Sequence, residues 1–443
     1  MRATGSSGPL RVLASIVDSR TDAPASLTRR RSLFLAMAGV VVLFLAASSV
    51  PSPLYVVYQQ MWGFSAATLT LVFAVYVLFL LLSLLVVGGL SDHLGRRPVL
   101  GTALAVQTVA VLLFLLAQNV AMLFVARAVQ GVATGAAITV MAATLVDLSP
   151  ARAGLANAVT PLAGLALGAL GCGLLVEYAP APTRLVYVLL LVGFALVAGV
   201  LVVLPETAPR RPGALASLRP RVGVPPALRG QVATIVPVLV ASWALGGLYL
   251  SLGPSVAAGP FGLRSHVVGG LVVTLLCGVG ALTAVVLYRR VPERLLVPAG
   301  GLLALGTAVS LVGLALSTAV LAAIGTVVAG VGFGAAALAC FGTLARIAPP
   351  ERRGELMAVA YTVSYLAFSL PAVIAGAAAV GVGLRPVALV YGGVVALLGL
   401  VAVVAQLVAG RRREPDRTQP PPERRPDDAQ ASRSPASNTP SGS

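Results

Sequence analysis

The chain has 443 residues, 58% of them hydrophobic and only 10% charged, whereas soluble domains carry about 25% charged residues, so a soluble globular domain is excluded. It contains 31 basic residues, all arginine, against 14 acidic ones, for a formal net charge of +17. Those arginines fall between apolar runs rather than on one polar surface, so the charge reports membrane topology and not nucleic-acid binding.

Residues 1–32 are polar, basic and irregular, and are expected to form a disordered tail. Arg29-Arg30-Arg31 followed by an apolar run has the look of a cleavable signal peptide. The run continues through Pro51 and Pro53 to Tyr58, however, and its removal would leave an odd number of spans. A helix needs about 20 apolar residues to cross the hydrocarbon core. Twelve stretches meet or approach that length: 33–57, 66–90, 98–117, 120–146, 154–178, 184–204, 231–257, 266–288, 295–316, 318–345, 356–382 and 385–409. They are too long, and alternate too little, for barrel strands. With the N-terminus inside, 27 of the 31 arginines fall in cytoplasmic segments; Arg184, Arg264 and Arg385 fall outside and Arg127 within a span. This is the positive-inside asymmetry of a multi-pass protein with both termini cytoplasmic. The expected fold class is therefore all-α integral membrane: six helices in 33–204, a Pro- and Arg-rich central loop in 205–230, six more in 231–409, and a disordered tail in 410–443.

Between spans 2 and 3 the chain reads GGLSDHLGRRPVL, from Gly88. Gly95 supplies backbone conformations that other residues resist. Asp92 can pair with a nearby arginine or accept bonds from a helix N-terminus, and Arg96 and Arg97 hold the loop on the anionic cytoplasmic face. Span 4 carries Arg127-Ala128-Val129-Gln130-Gly131. A cation within a span must face protein or water and have a partner; Gln130, one turn on, shares its face. One reading of Arg127 is a structural role, bonded to an acid or to carbonyl groups; a second comes with the family resemblance below. Span 5 contains GLALGALGCG from Gly164, whose small residues permit close helix packing. Just after span 6 stands Pro205-Glu206-Thr207.

The halves repeat. SPARAGLANAV, ending at Val159, aligns without a gap with PPERRGELMAV, ending at Val359, matching Pro150, Arg152, Gly154, Ala158 and Val159 to Pro350, Arg352, Gly354, Ala358 and Val359. LSDHLGRRPV from Leu90 aligns more weakly with LYRRVPERLL from Leu287, where Arg289 stands opposite Asp92. Six-plus-six repeats about a central loop suggest two bundles that rock around a midplane site.

These residues together resemble the major facilitator superfamily of secondary transporters over about 33–409. Gly88 to Arg97 resembles that family's loop signature between spans 2 and 3, Arg127 to Gly131 a second signature, and Pro205-Glu206-Thr207 a weaker third. The resemblance implies a gating role for Gly88, Asp92, Gly95, Arg96 and Arg97, and coupling or anion binding for Arg127. Span 5 departs from the antiporter pattern, with Ala169 at the place of a proline and Cys172 at that of a glycine, which weakens an antiporter reading.

No carboxylate sits at a midplane; Glu177, in the last turn of span 5, is read either as a coupling residue or as a solvated helix end. His93 and His266 have no neighbouring acid or second histidine at metal spacing and read as surface residues, and Cys172, Cys277 and Cys340 as small packing residues. No metal site and no cofactor is expected beyond a proton gradient, for which Glu177 and Arg127 are the coupling candidates. Gln130, Thr134, Asn157, Trp243, Tyr249, Tyr361 and Tyr365 are the polar or aromatic positions expected to line a substrate cavity. Aromatic residues with few charges suit an uncharged or lipophilic organic molecule. The reading is a monomeric secondary transporter of a bacterial cytoplasmic membrane, with a small-molecule substrate, the lipid bilayer and no nucleic acid as partners. The resemblance favours efflux; uptake or facilitated diffusion of a neutral or anionic metabolite is the alternative. A membrane enzyme would need a His, Asp or Glu cluster at the interface, and a sensor a folded soluble domain; neither is legible.

Overall fold

The computed structural model describes residues 8–208, 211–219, 222–349 and 352–413, with helix and no strand among them. Twelve helices are long and apolar enough to span a bilayer. They are α1 Thr28–Trp62, α2 Ala66–Val87, α3 Arg96–Leu115, α4 Val120–Leu148, α5 Pro150–Tyr178, α6 Leu185–Val203, α7 Pro226–Ser251, α8 His266–Leu287, α9 Pro292–Ala315, α10 Ala319–Ile347, α11 Arg353–Val382 and α12 Leu384–Ala409. An antiparallel succession of twelve puts the start of α1, the end of α12 and the segment between α6 and α7 at one end of the bundle. That end carries most of the arginines, and is called the basic end below.

Local chemistry sets the helix ends. The Ser65 hydroxyl accepts from the Thr68 amide at 3.2 Å and the Asn119 carboxamide oxygen from the Met122 amide at 3.0 Å, capping α2 and α4. Pro51, Pro150, Pro226 and Pro292 occupy first-turn positions, where no amide hydrogen is needed. α1 is broken between Ser49 and Pro51 and runs on to Trp62, further than the expected 57. Helix also extends back to Gly8 and forward to Arg413, into the stretches 1–32 and 410–443 expected as tails; residues 414–443 lie outside those described.

The packing follows the sequence repeat. In the first half α1 packs on α4 and α5, α2 on α4, and α3 on α4 and α6; in the second, α7 packs on α10 and α11, α8 on α10, and α9 on α10 and α12. The halves meet through α5 on α8 and α2 on α11, again a symmetric pair. Lipid offers apolar groups no poorer environment than protein does, so close van der Waals approach must drive this association. A Cβ added at Gly131 or Gly135 of α4 would overlap the α2 backbone, and one at Gly306 or Gly313 of α9 would overlap that of α10.

Candidate transport site

At the basic end, residues Ser91–Leu94 form a single helical turn and Gly95 then takes φ 98°, turning the chain into α3. A Cβ at Gly95 would overlap the Glu206 carboxylate, so only glycine fits both the conformation and the space. Glu206 caps α3: its Oε1 accepts from the Arg96 amide at 2.7 Å and its Oε2 from the Arg97 amide at 3.1 Å. A carboxylate at a helix N-terminus is favoured by the exposed amides and the helix dipole. Arg96 gathers three further oxygens, from Asp92 at 2.5 Å, Ser91 at 2.6 Å and Asp147, the penultimate residue of α4, at 3.4 Å. Thr207 donates to the same Asp147 oxygen at 2.8 Å. Gly88 has ordinary helical φ and lies against Thr139 of α4. The Arg96 cluster therefore joins the 2–3 loop, the end of α4 and the segment after α6. Sequence reading found Asp92 and Arg96 but did not assign Glu206 and Asp147 these roles; the Pro205-Glu206-Thr207 motif was the available signal.

Within the membrane Arg127 is 1% exposed. Its Nε donates to the Tyr55 hydroxyl at 2.8 Å, and its Nη1 to the Ser48 carbonyl at 3.1 Å and to Gln130 Oε1 at 2.7 Å. Gln130 Nε2 donates in turn to the Ala47 carbonyl at 3.0 Å. The guanidinium lies 5.0 Å from the ring centroid of Tyr76, with Tyr55 and Phe114 at 5.4 and 5.7 Å, so aromatic faces take the place of a carboxylate. This is the geometry of the structural reading. Gln130 and Thr134 are fully buried, enclosed in the first half rather than lining open space.

Trp243, Tyr361 and Tyr365 gather at the junction of the halves. Trp243 lies 4.9 Å from Tyr365 and 5.7 Å from Phe368, and Tyr361 lies 6.3 Å from Tyr365 and 5.2 Å from Phe341. Phe73 of α2 reaches across to Phe368 at 5.1 Å. Asn157 is half-buried, 3.4 Å from the Ala142 carbonyl. Tyr249 does not join this group: it lies inside the second half, its hydroxyl 2.7 Å from that of Thr326.

Among the described residues four ion pairs form, and only Glu177–His266 crosses between the halves. Glu177 Oε2 accepts from the His266 amide at 2.7 Å and lies 3.1 Å from its Nδ1. This corrects the reading of His266 as a residue without an acid nearby; 89 positions separate the partners in sequence. The pair sits at the end opposite the basic end. There the Ser52 hydroxyl also donates to the Leu250 carbonyl at 2.5 Å, while Gly270 and Gly173 of the facing helices each lie against the other's backbone. At the basic end all three ion pairs stay within one half. Among the described residues, a charged side chain bonds across the halves at one end only, through the Glu177 carboxylate.

Comparison with known proteins agrees with this architecture. No curated protein matches the chain in sequence. Among solved structures, the human organic anion transporter MFSD10 (TETRAN) superposes with a TM-score of 0.62 at 19% identity, over 85% of this chain and 99% of that one, a likeness of fold alone. The model of the Major Facilitator Superfamily matches residues 36–371. The chain belongs to the Major Facilitator Superfamily and is a membrane transporter of that family.

Proposed function

We propose that this transporter works by alternating access, carrying a small uncharged or lipophilic organic molecule out across a bacterial cytoplasmic membrane, with its basic end and both termini in the cytoplasm. Orientation rests on the arginine distribution, and outward direction on the motif resemblance. The observation that carries the mechanism is the asymmetry of the ends: a cross-half ion pair at one, and pairs confined to each half at the other. The cargo reading rests on Trp243, Tyr361 and Tyr365, aromatic side chains at the junction of the halves. A charged cargo there would be desolvated without a counter-ion, since Arg127 is enclosed and bonded within its own half. MFSD10 bears the name of an organic anion transporter; 19% identity carries its fold to this chain and not its cargo.

In this reading Asp92, Gly88, Gly95, Arg96 and Arg97 form a latch that changes partners as the halves rock, and Glu177–His266 is the site through which protons would couple. One experiment tests the proposal: a compound-accumulation screen in proteoliposomes with and without an imposed pH gradient. Saturable movement of a neutral lipophilic compound supports it. Movement restricted to organic anions overturns the cargo reading, and rates blind to the gradient overturn the coupling.

A further inference from the structure

The internal repeat exposes a difference between the halves. α4 and α10 are both 29 residues long, and Arg127 and Thr326 are each the eighth residue. α3 and α9 end in C-caps of nearly equal geometry at Leu116 and Leu316, placing Phe114 opposite Leu314. α6 opens on Arg184-Leu185-Val186-Tyr187 and α12 on Arg385-Pro386-Val387-Ala388, placing Tyr187 opposite Ala388. In the first half these positions fill one another's space. The Phe114 and Tyr187 rings stack at 5.4 Å, the Arg127 guanidinium lies 5.7 Å from the Phe114 centroid, and the Tyr187 hydroxyl is 3.2 Å from that of Tyr58. In the second half their counterparts Thr326, Leu314 and Ala388 all line one cavity of about 350 Å³.

That volume falls within the range of small-molecule sites, about 300–1,000 Å³. The walls are mainly Leu, Val and Ala, and no charged residue reaches them. The polar side chains are hydroxyls: Tyr249 and Thr326 at 2.7 Å, Ser310 3.5 Å from Thr326, and Thr307. A charged ligand would lose its hydration here for nothing in return. The first half fills the corresponding space with a phenol ring stacked on a phenyl ring, which indicates the shape and polarity the second half leaves vacant.

We infer that the cavity within the second half is a binding site for an uncharged aromatic alcohol, its rings taking the place of the Phe114–Tyr187 stack and its hydroxyl meeting the Tyr249–Thr326–Ser310 group. The site is separate from the aromatic cluster between the halves, and the inference does not depend on the proposed cargo or direction.

The probe is 1-naphthol, and the measurement is its equilibrium binding to the full chain in lipid nanodiscs, with protein-free discs subtracted. Wild type binds it saturably. Ala388→Phe, which restores the missing ring, weakens binding at least tenfold while the protein stays monodisperse and melts no lower than wild type. Thr326→Val keeps the side-chain shape and removes the hydroxyl, and with it one hydrogen bond to the ligand worth about 0.5–1.5 kcal/mol, and so weakens binding about two- to thirteenfold. Absence of saturable binding, or affinity unchanged in both variants, overturns the inference. Should Ala388→Phe not fold, Thr326→Val alone decides.

Discussion

Arg346 Nε lies 3.2 Å from Glu293 Oε1 at the basic end of the second half, and the pair mirrors Arg96 and Asp147 in the first with the charges exchanged. Asp147 and Arg346 are each the penultimate residue of a 29-residue helix, and Arg96 and Glu293 each stand in the first turn of the preceding one. Each half thus ties its third helix to its fourth with one ion pair of opposite sense. Only the first half adds Asp92, which shares Arg96 with Asp147. Asp92 itself is more than half exposed, so the pair adds little to stability. Asp92→Asn is expected to leave protein in the membrane at wild-type levels while slowing transport, read as initial rates per unit of folded protein. An unchanged rate removes Asp92 from the latch.

Gly95→Ala is expected to act on folding. A Cβ there meets both an unfavourable φ of 98° and the Glu206 carboxylate. With ψ 156° this is a region essentially confined to glycine, so the conformational part alone costs about 1–3 kcal/mol, and displacing Glu206 would also uncap α3. A clear fall in melting temperature in detergent checks this. Glu206→Gln keeps the shape and removes the charge, and should fall less.

Arg127 has no carboxylate to release it, and three hydrogen bonds and three aromatic faces hold it. Lysine has neither the planar fork nor the reach to satisfy Tyr55, Ser48 and Gln130 together. Arg127→Lys is therefore expected to destabilise by about 1.5–3 kcal/mol, the scale of losing a hydrogen bond to a buried charged group. Thermal unfolding measures it. If the variant stays as stable as wild type but loses transport, Arg127 takes part in coupling instead.

The residues legible in sequence were those whose signal is local. Twelve apolar runs gave the spans because each alone meets the bilayer's length requirement, and Asp92, Gly95 and Arg96 stood at fixed spacing within one loop. The rest depended on packing. Glu177 and His266 are at the ends of different helices and become partners only when the halves meet. Glu206 caps a helix that begins 110 residues earlier. Tyr249 is an aromatic in an apolar helix, and that it faces the cavity inside the second half rather than the aromatic group between the halves could not be read from that.

Glu177→Gln leaves the His266 amide a weaker acceptor and removes the carboxylate that bonds across the halves at this end. It is expected to shift the population away from closure at that end, seen as increased labelling of a cysteine introduced at Ser52. Labelling equal to wild type means that backbone and apolar contacts seal this end without it.

Alternating access itself is tested most directly by double electron–electron resonance. Spin labels at Tyr178 and Leu263 report the end opposite the basic end, and labels at Leu94 and Val291 report the basic end. Gly270→Val supplies the perturbation, because a side chain there overlaps the Ala169 backbone of α5 and opposes closure. The expected result is two distance populations at each end, with Gly270→Val depleting the short one between Tyr178 and Leu263 and enriching the short one between Leu94 and Val291. A single distance at each end, or a change at one end with none at the other, would contradict the account.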